Sequence, residues 1–167
     1  MPWGAFSIIA VITLVLQTTV VRLLGIEGVD LFLALALFLG LTASTSDARL
    51  AAWCAGFVQD LAGGGPIGLH ALALGTSVWL LTTLRDVVNL QVWWARWVVG
   101  ALGALPAQVL VVAYLHYGLG TRLSVVWTAL SIVVTSLLAG LLATLLTQLP
   151  IFLEWDRRRR RYHRARW

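Results

Sequence analysis

Leu123–Leu149 reads LSVVWTALSIVVTSLLAGLLATLLTQL, twenty-seven residues without a charge, and Pro150 and the tail IFLEWDRRRRRYHRARW follow it. A helix needs about 20 apolar residues to cross the hydrocarbon core of a bilayer, so this run is long enough. The tail that follows is its complement. All twelve basic residues of the chain are arginine, and seven of them, Arg157–Arg161, Arg164 and Arg166, fall in the last eleven positions. A nucleic-acid surface would spread its basic residues over a folded face. A block placed directly after an apolar helix reads instead as an anchor on the anionic cytoplasmic leaflet. Arg157, Arg158, Arg159, Arg160 and Arg161 are therefore the candidate lipid-anchoring residues, with membrane lipid as their partner and no nucleic acid.

The rest of the 167 residues has the same character. Apolar residues make up 60%, charged residues 11%, and the mean hydropathy is +0.89. A soluble domain of this size carries about a quarter charged residues, which excludes an ordinary soluble fold. Working back from the last segment, the apolar runs are Trp93–Tyr117, Leu69–Leu84, Leu50–Leu61, Leu31–Ala43 and Met1–Val21. Together they predict an all-α membrane protein of about six transmembrane helices over residues 1–153, with an Arg-rich cytoplasmic tail over 154–167. The first run lacks a basic leading region and reads as a retained helix, not a signal peptide. Several runs are shorter than a full span. Short apolar helices beside Gly-Pro breaks belong to tilted or interrupted helices, so the loop Gly63–Gly68 is expected at some depth in the membrane.

The arginines set the orientation. With six crossings and the tail inside, both termini are cytoplasmic. Arg49, Arg85, Arg96 and the tail then place ten arginines inside, against Arg22 and Arg122 outside. A count of five or seven helices would move the N-terminus outside. Six of the nine tryptophans, Trp3, Trp93, Trp94, Trp97, Trp155 and Trp167, fall near segment ends, where indoles serve as interfacial anchors.

Few residues carry chemistry. Asp60 is the most informative, an ionisable group inside an apolar stretch, which is costly unless it meets a partner or a polar cavity. It reads as a structural clamp on the N–H groups of Gly63–Gly65, with a ligand or proton role as the alternative. His70, just past the loop, can pair with Asp60, and His116 reads as interfacial. Cys54 is the only cysteine and reads as a buried small hydrophobe. No thiolate or histidine set has metal-ligand spacing. Small residues recur at helical spacing in Ala52–Gly56, Gly100–Ala104, Gly103–Ala107 and Ser136–Gly140, which suits close helix packing. Pro106 predicts a kink in the fifth helix. Gln17, Gln59, Gln91, Gln108 and Gln148 add polar contacts and form no recognisable relay. GxSxG, HExxH and P-loop patterns are absent, so the chain is expected not to be an enzyme and to need no cofactor.

Gly56-Phe57-Val58-Gln59-Asp60-Leu61, followed by Gly64-Gly65-Pro66-Ile67-Gly68-Leu69-His70-Ala71-Leu72, resembles the signature of the bacterial rod shape-determining protein MreD family. Leu16-Gln17-Thr18-Thr19, the Asp30-Leu31 start of the second helix and Leu84-Arg85 resemble it as well. The likeness covers residues 16–86; beyond them it rests on hydropathy. Val29 departs from the proline that often precedes the Asp in that family. The resemblance implies an inner-membrane protein similar in fold to the substrate-binding component of ECF transporters. It implies regulation of cell shape and peptidoglycan synthesis within the elongasome. The implied partner is MreC, in a system with RodA, a class B penicillin-binding transpeptidase and MreB. Gly56, Asp60, Gly64, Gly65, Pro66, Gly68 and His70 become the structural or partner-binding candidates. The alternative is the substrate-binding membrane component of a small-molecule, vitamin-type transporter.

Overall fold

A computed structural model describes residues 3–21, 30–63, 66–88, 92–118 and 125–148. Among them the chain is all-α, with six helices: α1 (Trp3–Val15), α2 (Leu31–Thr42), α3 (Thr45–Gly63), α4 (Leu69–Val87), α5 (Trp93–Ala113) and α6 (Val125–Gln148). Short π-helical turns, Leu16–Val21 and Tyr114–Gly118, extend α1 and α5. The arginine tail over 154–167 lies outside the described residues.

The bundle is organised around α2. Its sequence LFLALALFLGLT is apolar on every side, and the run from Phe32 to Gly40 is entirely buried. A helix with no polar face belongs in the interior, and α2 packs against α1, α3, α4, α5 and α6. Its twelve residues make about 18 Å of helix, well short of the roughly 30 Å hydrocarbon core. Hydropathy alone counts α2 as one more lipid-facing span. The structure gives it a different place, shielded by protein, where lipid thickness does not set its length. Among the described residues one stretch, Trp94–Gly118, is long and apolar enough to cross a membrane, at 25 residues and a mean hydropathy of 2.0. Phe6–Thr19, Leu31–Thr42 and Ile132–Leu145 are shorter apolar helices. The outer surface is apolar too, with Ile8, Val11 and Ile12 of α1 and Leu130, Val133 and Leu145 of α6 all exposed.

α3 begins earlier than its hydropathy suggests. The apolar run starts at Leu50, but the helix starts at Thr45. Ser44 Oγ accepts from Asp47 N at 3.3 Å, and Asp47 sits in the first turn, where a carboxylate suits the helix dipole. At the other end Gly63, expected in the loop, closes the helix. The inner face of α3 is Ala48, Ala51, Ala52, Ala55 and Gly56. Leu50, Trp53, Phe57 and Leu61 point outward, and Cys54 is exposed with them. The expectation of a buried cysteine is thus corrected. An apolar run in this chain does not distinguish the inner from the outer face, because both are apolar.

Small residues bring the helices close. A Cβ on Gly56 would strike the backbone of α4, at His70 O and 2.6 Å from Ala71 N. A Cβ on Gly140 would lie 2.6 Å from Ala101 N of α5. Near that crossing Trp97 Nε1 donates to Leu137 O at 3.1 Å, so Trp97 braces α5 on α6. Pro106 lies inside α5, where it removes a ladder donor and crowds the preceding turn. The next N–H, of Ala107, reaches out of its helix to the buried Ser77 Oγ of α4 at 2.9 Å. A neighbouring helix thereby helps satisfy backbone loosened by the proline.

Both ends of the α2–α3–α4 core are tied by polar groups. At one end Arg85, in the last turn of α4, donates through Nη1 to Gly40 O and Ala43 O, both at 2.8 Å. Its Nη2 donates to Thr45 Oγ1 at 3.1 Å. These carbonyls belong to the last turn and C-cap of α2, where intrahelical donors run out. Arg49 Nε donates to Thr82 Oγ1 of α4 at the same end, at 3.1 Å. The opposite end carries the aspartates.

Candidate functional site

Asp60 closes the second end. It sits one turn before the end of α3, and its side chain is completely buried. The carboxylate takes four donors from the segment that starts α4. Gly68 N donates to Oδ2 at 2.8 Å and Ala71 N to Oδ2 at 3.2 Å. His70 N and His70 Nδ1 donate to Oδ1 at 2.9 and 2.8 Å. The contact assigns the proton to Nδ1 of His70. Asp60 therefore does for α4 what a local N-cap side chain does elsewhere. The N-cap itself is Gly68, which has no side chain to offer and holds φ at 104°. That left-handed backbone is strained for any residue with a Cβ. The negative carboxylate also meets the positive end of the α4 dipole.

The donors differ from the sequence expectation. The clamp was expected on Gly63–Gly65, but Gly63 is still helical, and Gly64 and Gly65 lie outside the described residues. The N–H groups that need an acceptor are those of the first turn of α4, and these are the ones Asp60 satisfies. Pro66 and Ile67 are exposed in the intervening turn, and Leu69 N donates to Pro66 O at 3.3 Å. Gly56, one helical turn earlier, is the point where α3 and α4 touch. The structure thus joins Gly56, Asp60, Gly68 and His70 into one unit and leaves Pro66 at its rim.

A second aspartate repeats the device. Asp30 is the N-cap of α2 and accepts from Leu33 N at 3.1 Å. Leu31 N donates to Gln17 Oε1, in the π-helical end of α1, at 2.9 Å. Gln59, the neighbour of Asp60, donates through Nε2 to Asp30 Oδ2 at 3.1 Å. The two capped helix starts are thereby linked across α3.

Between them lies a cavity of about 220 Å³, lined by Gln17, Asp30, Gln59, His70 and Gln108 with Ala73, Leu74, Ala107 and Val111. The floor, Ala73, Leu74 and Ala107, is buried, and the polar rim is half-buried. Sequence reading singled out Asp60 and His70 but missed this grouping. The signal was present in glutamines that interrupt apolar runs near segment ends, but five separate elements supply the rim. Among the described residues no group of three or more His, Cys, Asp or Glu side chains could hold a metal ion. His116 is exposed and stacks edge-on against Tyr117 at 4.9 Å.

The fold and this site describe an all-helical bundle with an apolar exterior and a polar pocket at one end. Comparison with protein-family models, curated proteins and solved structures finds no match for this chain.

Proposed function

We propose that the chain is a multi-pass, non-enzymatic scaffold in the inner membrane of a rod-shaped bacterium, resembling the MreD family and assembling with an MreC-type partner. In this reading it crosses the membrane six times, with both termini in the cytoplasm. It supports regulation of cell shape and peptidoglycan synthesis alongside RodA, a class B penicillin-binding transpeptidase and MreB. The observation that carries the reading is the Asp60 clamp. The residues of the resemblance, Gly56, Asp60, Gly68 and His70, form one load-carrying joint between α3 and α4. All four donors of that joint are consumed in holding a shape, which is what a scaffold requires.

The direction of the helices supports the topology. α2, α3 and α4 alternate, with Asp30, Asp60 and His70 at one end and Arg49 and Arg85 at the other. α6 packs along α5, and only residues 119–124 separate the end of the Tyr114–Gly118 turn from the start of α6, too few to return along a helix of this length, so α6 runs against α5. The chain after α6 therefore leaves at the Arg49–Arg85 end. Gathering the tail arginines there matches the bias of cytoplasmic loops for positive charge. Depletion in the source bacterium tests the function: cells should lose rod shape and round up. Rods that keep their shape and their pattern of wall insertion would refute it.

The polar cavity favours a second reading, a small-molecule-binding transport component. Saturable uptake of a solute that depends on this chain, with cell shape unchanged on depletion, would select it.

A further inference from the structure

Arg49 holds an unfilled fork at the end of the bundle opposite the aspartates. Its Nε donates to Thr82 Oγ1 at 3.1 Å. Thr82 is fully buried in α4 and gives its own proton to Trp79 O at 2.9 Å. Its oxygen therefore has only lone pairs to offer Arg49, and the contact fixes the guanidinium on the seam between α3 and α4. Nη1 and Nη2 have no hydrogen-bond partner among the described residues, and Arg49 forms no ion pair there. Asp47 is close in sequence, but residues two apart do not face each other on a helix. Arg85, at the same end, spends its Nη atoms on Gly40 O, Ala43 O and Thr45 Oγ1. Arg49 is half-buried, and a charge so placed in an apolar surround is costly unless an anion meets it.

The surface beside Arg49 grades from polar to apolar. Ser46, Arg49, Trp53 and Phe57 form one stripe along α3, at spacings of three and four residues. Ser46 is exposed, and its hydroxyl has no partner among the described residues. Trp53 and Phe57 are exposed as well, and the Trp53 ring lies against Gly75 of α4. Trp79, one turn beyond Gly75, is exposed on the α4 side of the seam. Arg49 stands four residues inside the start of α3 at Thr45, about 6 Å of helix. A hydroxyl and a cation thus lie at the helix end, with indoles and then a phenyl ring further in. That is the order of a phospholipid from headgroup to chain, and indoles favour the boundary between the two.

We propose that this seam binds one anionic phospholipid. Two phosphate oxygens accept from Arg49 Nη1 and Nη2, a pairing that a planar fork matches. Ser46 Oγ donates to the same phosphate, and the acyl chains lie over Trp53 and Trp79. A zwitterionic lipid carries its own cation beside the phosphate and competes with Arg49 for it. This end is the one proposed above to face the cytoplasm, the leaflet that carries anionic lipid. The inference rests on the membrane reading and not on the role in cell shape, so a lipid result and the depletion result can fail separately.

The test is native mass spectrometry of the full chain in mild detergent, titrated with dioleoylphosphatidylglycerol, dioleoylphosphatidylcholine, dioleoylglycerol and free glycerol phosphate. One phosphatidylglycerol per chain should be retained saturably, phosphatidylcholine at least about tenfold more weakly, and the other two not at all. The full chain with its seven tail arginines replaced by Gln should still retain one. Arg49→Gln should weaken retention about tenfold, and Arg49→Lys should restore part of it. Ser46→Ala, at an exposed position, should weaken it about threefold with the lipid-free thermal midpoint unchanged, which separates binding from folding. Trp94→Leu, which removes an exposed indole of α5, should leave retention unchanged. Equal retention of phosphatidylglycerol and phosphatidylcholine, or of phosphatidylglycerol and dioleoylglycerol, would overturn the proposal. So would glycerol phosphate binding as tightly as the lipid, or retention abolished by the tail substitutions alone. Retention indifferent to Arg49→Gln and Ser46→Ala would leave the fork to a partner's carboxylate and overturn it as well.

Discussion

Replacing Asp60 with asparagine changes one heavy atom and should cost more than its size suggests. The carboxylate takes Gly68 N and Ala71 N on one oxygen and His70 N and Nδ1 on the other. Asparagine keeps one acceptor and turns a donor toward the remaining N–H groups. Two contacts are lost when the amide nitrogen replaces Oδ2, and two when it replaces Oδ1 with the His70 tautomer unchanged. A buried polar group left without its partner costs about 1–3 kcal/mol. Two such losses give about 2–6 kcal/mol, and the lost charge at the start of α4 adds up to about 2 more. On the scale for 150–250-residue domains, about 2–4 °C per kcal/mol, the low end alone lowers the midpoint by about 4–8 °C. The assay is thermal unfolding of the full chain in nanodiscs, paired with hydrogen exchange at Gly68, His70 and Ala71. The midpoint should fall, and these three amides should exchange faster than the middle of α4. A midpoint within about 1 °C of the parent, with those amides still protected, would refute the clamp.

Other substitutions probe the remaining joints. Gly56→Ala pushes a Cβ into the α4 backbone and should cost about 1–3 kcal/mol by overpacking, whereas Gly4→Ala, with open space around it, should be neutral in the same melt. Arg85→Met strips the C-terminal carbonyls of α2 of charge-assisted donors; a loss of about 2–4 kcal/mol should appear as earlier unfolding, and Arg85→Lys should recover only part of it because a point charge cannot replace the fork. Replacing Arg157–Arg161, Arg164 and Arg166 with Gln should weaken binding to anionic vesicles and produce inverted molecules, read by labelling of cysteines placed at the two termini. Single cysteines across Gly63–Gly68 should label more slowly than a water-exposed loop if that turn sits at depth.

Much of the bundle was legible because its punctuation is chemical. Asp30 before Leu31, the Gly-Pro turn before Leu69 and the Arg85 stop mark α2 and α4, and the helices begin and end within a few residues of those marks. The start of α3 was not legible from hydropathy, because Thr45–Asp47 are polar yet form its first turn under a Ser44 cap. The central place of α2 was hidden for a different reason. Lipid and protein interior ask for the same side chains, so an apolar helix does not reveal which of them surrounds it. Cys54 was misplaced on the same ground. At the site, Asp60 stood out as a lone charge in an apolar run, and its pairing with His70 followed from nearness in sequence. The glutamines of the cavity could not be grouped that way, since Gln17, Gln59 and Gln108 meet only after α1, α3 and α5 pack around α2.

The proposed role is assembly in the membrane, and pairwise association tests it most directly. The full chain and the MreC-type protein of the same bacterium would be co-expressed, extracted in mild detergent and purified through a tag on this chain. The two should form a stable complex that survives a size-exclusion step and is lost with Asp60→Asn. A chain that purifies from the membrane fraction, folded and alone, with its MreC-type protein left entirely in the flow-through, would contradict it.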